Sequence, residues 1–143
     1  MTIGIVGSEQ AKFTPDTERA ARLLIQELVV KHLATKVVSG GCHLGGVDVY
    51  AREEADRLHV EFEEFLPAVR MWEGGYKQRN MKIAQVSDFV VCITVRELPP
   101  TYKGMRFKSC YHCKTDQHVK SGGCWTVKYA KKLGRETTVL VVE

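Results

Sequence analysis

The stretch VVSGGCHLGGVDVYAREEAD, Val37–Asp56, passes from a short β-branched run, through a turn carrying four glycines, into a segment with helical periodicity. Val47, Ala51, Ala55 and, just beyond the stretch, Leu58 recur three or four residues apart, the spacing of one helix face. A buried strand, a tight turn and a helix in that order are half of a strand–helix–strand crossover. Lys36–Ser39 is therefore read as a strand stopped by Gly40-Gly41, with the helix starting after Gly45-Gly46.

The same alternation extends in both directions. Upstream, Thr2–Val6 is a short apolar strand ending at Gly7-Ser8. Thr14-Pro15-Asp16-Thr17 then offers a hydroxyl N-cap, a proline at the first helical position and an acid in the first turn. Ala20, Ala21, Leu24 and Leu28 carry that helix to about His32. Downstream, His59–Leu66 reads as a third strand, Gly74–Val86 as a helix and Asp88–Thr94 as the most apolar strand. Gly122–Leu133 is the last helix, closed by Gly134, and Thr137–Val142 the last strand. The pattern predicts an α/β fold: one domain over 1–143, with a mostly parallel five-stranded sheet, helices on both faces and a long inserted loop at 95–120.

Composition narrows the function classes. Hydrophobic residues at 44% and charged residues at 27% are a globular balance and argue against disorder. No apolar run approaches the ~20 residues of a membrane span. Met1–Gly7 lacks the basic region of a signal peptide, so the expected location is a reducing cytoplasm, where the five cysteines are thiols or metal ligands. The net charge of +4 is local: residues 95–120 hold Arg96, Lys103, Arg106, Lys108, Lys114 and Lys120 against Glu97 and Asp116. That favours an anion contact in this segment over a general nucleic-acid coat.

Three glycine-bearing segments reach the carboxyl ends of the strands, where open α/β sheets bind ligands. They are Gly7-Ser8, Ser39-Gly40-Gly41 with Asp48 downstream, and Ser121-Gly122-Gly123 leading into the last helix. Such turns let the backbone approach a ligand, and a helix N-terminus attracts phosphate or carboxylate. Trp72, Tyr76 and Trp125 lie near the same edge, where each can stack on a base or simply pack. A Cys42-His43 nucleophile and base is disfavoured, because adjacent side chains rarely face one another and no orienting acid is evident.

A loop as long as 95–120 needs something to hold it down. Cys110 and Cys113 form a C-x2-C pair followed by His118 and Cys124, one residue off the spacing of a zinc knuckle. Two thiolates so spaced reach one tetrahedral zinc. Cys124 also lies in the glycine turn and can face the pocket instead, which leaves His112, His43 and Cys92 as alternative ligands.

Val37–Asp56, Tyr76–Ile93 (YKQRNMKIAQVSDFVVCI) and Ser121–Val142 (SGGCWTVKYAKKLGRETTVLVV) together resemble the SLOG superfamily, the Rossmann-like group that includes Smf/DprA and LOG proteins. The resemblance covers nearly the whole chain outside 95–120 and is nearest to small stand-alone members. It implies a pocket for a nucleotide or nucleotide-derived ligand at the strand ends. Arg79-Asn80 match its arginine-bearing helix, and Gly122-Gly123 with Thr126 match its phosphate-binding turn. LOG hydrolases have a glycine before that threonine and a glutamate three residues after it; here those places are Trp125 and Tyr129. Glycosidic-bond cleavage needs a carboxylate, and Asp48 and Glu73 are the acids available to substitute. Asp48 equally suits orienting loop amides or a ribose hydroxyl.

The leading expectation is a sensor or carrier of a nucleotide-derived small molecule, with Gly7, Ser8, Ser39, Gly40, Gly41, Asp48, Arg79, Asn80, Ser121, Gly122, Gly123 and Thr126 at the ligand. Cys110, Cys113, His118 and Cys124 are the expected zinc ligands, with free thiols or a redox pair as the alternative. Two rivals stay open: an N-glycosidic-bond hydrolase or transferase, and a single-strand nucleic-acid binder using the basic loop. A homo-oligomer is expected, and no membrane partner.

Overall fold

The computed structural model describes residues 1–143. Five strands, β1 (Thr2–Gly7), β2 (Lys36–Ser39), β3 (Glu61–Glu64), β4 (Phe89–Val95) and β5 (Glu136–Val142), alternate with helices α1 (Pro15–Lys31), α2 (Val47–Arg57), α3 (Lys77–Val86) and α4 (Gly123–Lys132). The sheet is wholly parallel, in the order β3-β2-β1-β4-β5. The chain starts in the middle, winds outward to β3 and then crosses to β4. The switch point therefore lies between β1 and β4.

Strand side chains alternate between two cores. Ile3, Ile5, Val37, Val91 and Ile93 pack with Ala21, Ile25 and Val29 of α1 and Val47, Ala51 and Ala55 of α2. Val6, Val38, Val90 and Cys92 pack with Ile83 and Ala84 of α3 and Val127 and Ala130 of α4. Both faces are covered, which is why β4 has no exposed residue. No helix is long and apolar enough to cross a membrane.

Local chemistry sets the helix boundaries. Thr14 caps α1 by accepting from the Thr17 amide at 3.1 Å, while the Thr17 hydroxyl accepts from the Thr14 amide at 2.8 Å. Gly46 opens α2 with φ +86°, a left-handed conformation that brings its α-carbon against the Ser8 carbonyl and the Gln10 amide. Glu54 of α2 is almost wholly buried and is held by Arg22 (2.8 Å) and Gln26 (2.6 Å) of α1, which locks the two helices together.

Three details differ from expectation. The buried stripe of α1 is Ala21, Ile25 and Val29, one residue on from the expected one, with Ala20, Leu24 and Leu28 on its margin. β3 is only Glu61–Glu64, because it is an edge strand with one neighbour. Gly74 does not begin α3: it takes φ +78° inside a wide turn at Trp72–Tyr76, and regular helix starts at Lys77. Residues 96–122 contain no helix or strand and are the expected insert, joined to the body mainly through Val119.

A side chain at Gly46 combines left-handed strain with a backbone clash. Gly46→Ala is expected to cost about 3 kcal/mol or more, read as a lowered denaturant midpoint at unchanged slope. Thr14→Ala should cost about 1 kcal/mol.

Candidate ligand pocket and cysteine–histidine cluster

β1 and β4 end side by side at the switch point, and the segments leaving them enclose a cavity of about 570 Å³. Gly7 forms its floor; any side chain there would strike the Ile93 carbonyl of β4. Ser8 follows, its buried hydroxyl 2.9 Å from that of Thr94. The N-terminus of α4 supplies the adjoining wall through Gly122, Gly123 and Thr126.

The two glycines of this turn play different parts. Gly122 is exposed, with nothing near its absent side chain, and its amide makes no hydrogen bond. Gly123 is buried, and a β-carbon there would lie 2.9 Å from both the Gly7 amide and the Cys92 sulfur. Gly123 thus serves the close packing of α4 on the sheet, while Gly122 keeps the approach open. Ser121 is buried beneath them and accepts from the Gly123 amide at 3.2 Å. Thr126 is fully buried, and its hydroxyl finds no partner in the protein although it lines the cavity.

Opposite stands the loop after β2. The Ser39 hydroxyl lies 2.6 Å from the Ile5 carbonyl and 3.0 Å from Asp48 Oδ1. Asp48 Oδ2 accepts from the Cys42 amide at 3.0 Å, so this acid orients the glycine loop. Burial pushes the Asp48 carboxyl above the ordinary carboxylate range, while the Arg79 charge, the Ser39 hydroxyl and the Cys42 amide hold the rise back. Arg79 donates to the Gly40 carbonyl and, at 2.7 Å, to Asn80 Oδ1. The glycine at 40 makes room for that guanidinium. Gly40, Asp48, Arg79 and Asn80 all border the cavity, whereas Ser39 and Gly41 lie behind it, Gly41 at φ +60° against Glu64.

The insert forms the roof, the part that the residue reading did not name. Tyr102, Met105, Phe107, Tyr111, His112 and Lys120 all face the cavity. Lys12 and Glu9, from the turn after β1, reach up to it: Lys12 donates to the Lys120 carbonyl at 2.9 Å, and Tyr102 to Glu9 at 3.0 Å. Burial lowers the Lys12 pKa, partly opposed by Glu9. The signal available in the sequence was the basic excess of 95–120, which brings Lys120 here. Trp72, Tyr76 and Trp125 line the cavity, with Trp72 edge-on to Trp125 (4.9 Å) and Tyr129 stacked behind Trp125 (5.5 Å).

Two acid–base candidates fall away from this site. Glu73 is exposed, paired with Lys77 at 3.4 Å, and does not border the cavity. Cys42 borders it, with a thiol that burial pushes up, but His43 is exposed and outside it, so the two form no nucleophile–base pair.

Behind the roof, Cys110, Cys113, His118 and Cys124 gather with all four ligand atoms within 4.8 Å of one another, a donor set that can hold a metal. Cys110 and Thr115 exchange two backbone hydrogen bonds (2.9 and 3.2 Å), and Lys114 takes φ +54° to close the turn. His118 Nδ1 lies 2.9 Å from the Val119 carbonyl, which can only accept; Nδ1 therefore carries the proton and Nε2 is left for a metal. Burial pushes the Cys110 thiol up, but the backbone amides of Cys113 and Ser121 outweigh it and lower its pKa. Cys113 is pushed up to about 12, first by burial and then by its neighbouring thiols. Cys124 turns away from the cavity toward this cluster. His112 belongs to the cavity wall and His43 to the surface, and Cys92 sits behind Cys124, sulfur to sulfur 3.9 Å.

Strand order and pocket position define a Rossmann-like α/β domain with a cavity at its switch point. The molybdenum cofactor carrier protein from Chlamydomonas reinhardtii is similar over 96% of this chain and 74% of its own, with TM-score 0.61 and 16% identity. A second structure of that Moco carrier protein gives TM-score 0.60 at 17% identity over 97% of this chain and 75% of its own. DNA processing protein A (DprA) from Streptococcus pneumoniae gives TM-score 0.57 at 15% identity; it is covered over 49% of its length, and this chain over 96%. No family model and no curated protein sequence matches the chain.

The glycine pair separates fold from access. Gly123→Ala is expected to cost about 1–3 kcal/mol of stability by overpacking, and Gly122→Ala almost none, as thermal unfolding of the two variants would show. At Asp48 the raised folded-state pKa means the folded chain holds this proton more tightly than the unfolded chain. Its contribution to stability therefore declines as pH rises from the ordinary carboxylate value through the folded value. Arg79→Ala should raise that pKa further, seen as a shifted Asp48 carboxyl titration by carbon NMR.

Proposed function

We propose that this chain is a small-molecule carrier or sensor that holds a nucleotide or nucleotide-derived ligand between the α4 turn and the insert. The observation that carries this reading is the fully buried Thr126 hydroxyl, left without a partner at the cavity beside the free Gly122 amide. A buried unpaired hydroxyl costs about 1–3 kcal/mol, and a ligand oxygen at this place would relieve it. The start of α4 adds the positive end of the helix dipole. Arg79, Lys12 and Lys120 surround the same space with positive charge, and Trp72, Tyr76 and Trp125 offer flat apolar surface to a heterocycle. That the fold is shared with a molybdenum cofactor carrier supports a carried ligand of this kind.

Binding is favoured over cleavage by the state of the acids. Both Asp48 oxygens are engaged by the protein's own donors, Glu9 accepts from Tyr102, and the place of the LOG glutamate is filled by Tyr129. With the ligand goes a zinc ion in the cysteine–histidine cluster, since three cysteines and one histidine within reach of one ion are a donor set of structural zinc sites. A reducing cytoplasm would keep those thiols available.

Native mass spectrometry of the protein as isolated, followed by calorimetry with nucleoside 5′-monophosphates, tests the reading. Arg79→Ala should weaken the ligand so found by about 1.5–3 kcal/mol, and Arg79→Lys should restore only part, because an ammonium lacks the planar fork. Thr126→Val should act with opposite signs on the two states. The free protein should be as stable or more so, and the complex weaker by about 1 kcal/mol. Release of free base at catalytic rates, or affinity collapsing with salt as for a nucleic-acid contact, would instead favour a rival.

A further inference from the structure

We propose that the Cys110–Cys113–His118–Cys124 site is what closes the pocket: zinc bound there builds the roof, and the pocket binds its ligand only with the metal in place. The closing role rests on the ligand-binding reading of the cavity; the metal site itself does not.

The insert has little else to hold it. From Pro100 to Gln117 the one buried residue is Cys110, so no apolar core orders this stretch. Direct ties between the insert and the body are few: Tyr102 to Glu9, Lys12 to the Lys120 carbonyl, and, near its end, Val119 to Val95 (3.1 Å) and Thr94 (3.4 Å) of β4. Yet this segment supplies much of the cavity lining. A roof of largely exposed or half-buried residues fixed by these few contacts would open readily.

The four ligands are placed to prevent that. Three come from the insert and the fourth, Cys124, from the first turn of α4, so one ion bolts the roof to the wall that carries Gly122 and Thr126. Along the chain, ligand and pocket positions interleave: Tyr111 and His112 stand between Cys110 and Cys113, Lys120 follows His118, and Gly122, Gly123, Trp125 and Thr126 flank Cys124. Fixing the sulfurs and the imidazole therefore fixes the pocket wall. The arrangement is close to what zinc requires, since zinc–sulfur bonds of about 2.3 Å put tetrahedral corners ~3.8 Å apart and the four atoms already lie within 4.8 Å. The His118 Nδ1 contact with the Val119 carbonyl supplies the outer hydrogen bond that orients a metal-bound imidazole. By linkage, ligand must tighten zinc by the factor that zinc tightens ligand.

The experiment uses the full chain, reduced, in zinc-loaded, chelator-stripped and zinc-restored states, with adenosine 5′-monophosphate as probe. Cys113→Ser is the variant of choice, because Cys113 is exposed and lies in the insert, outside the sheet and α4. Zinc should be found at about one per chain, and cobalt should give thiolate charge-transfer and tetrahedral visible bands that Cys113→Ser alters. Stripping should speed amide exchange across 98–126 while the β1 and β4 amides stay protected. It should also weaken probe binding about tenfold or more, restored by zinc in the wild type and not in Cys113→Ser. Cobalt spectra without thiolate bands overturn the site, and equal probe affinity in loaded and stripped protein overturns the gating. If the probe binds neither state, the nucleotide reading fails separately. The roof is then judged by exchange at Gly122–Thr126, where no change on stripping overturns the proposal.

Discussion

The contact on which the molecule turns is that between Gly123, at the start of α4, and Gly7, at the end of β1. With no side chain on either residue, the helix start sits directly on the strand end; a β-carbon on Gly123 would be 2.9 Å from the Gly7 amide. That approach places the Gly122 amide and the Thr126 hydroxyl over the switch point. Because successive helical residues turn by about 100°, Cys124 and Thr126 point to nearly opposite sides. One helical turn therefore serves two sites, with Thr126 on the cavity and Cys124 in the thiol cluster.

The two halves of the pocket are stabilised in different ways. The floor belongs to the sheet, whose β1 and β4 are buried on both faces and pinned between two apolar cores. The roof belongs to a segment whose exposed residues include Met105 and Tyr111, and which carries the chain's whole excess of positive charge. Apolar burial cannot order such a segment. Metal–thiolate bonds at the proposed four-ligand site would order it without adding apolar bulk that fills the cavity.

What was legible in the sequence follows this division. The sheet and helices were readable because hydrophobic period and glycine or threonine punctuation report local backbone demands: Thr14 capped α1 as its hydroxyl suggested, and Lys36–Ser39 was a strand to the residue. The cysteine–histidine set was also readable, since ligand spacing is itself a local property. The pocket roof was not. Tyr102, Phe107 and Tyr111 face the cavity only because the insert folds back over the strand ends, and no periodicity encodes that return. Ser39, Gly41 and Ser121, also expected at the ligand, do not border the cavity: Ser39 spends its hydroxyl on Ile5 and Asp48, and Ser121 accepts from the α4 turn.

On the carrier reading proposed above, the molecule must hold its cargo firmly and still let it go, and this architecture separates the two demands. Global unfolding of a domain this size costs about 5–15 kcal/mol, far too much to serve as a release step. The floor shares that stability because it is part of the sheet. The roof lies outside both cores apart from Cys110 and Val119, so it can lift in a local opening that leaves every strand paired. With a metal in the proposed four-ligand site, the free energy of that opening would be set by a few polar contacts and the occupancy of that site. The tightness of the pocket would then be adjustable independently of the stability of the fold.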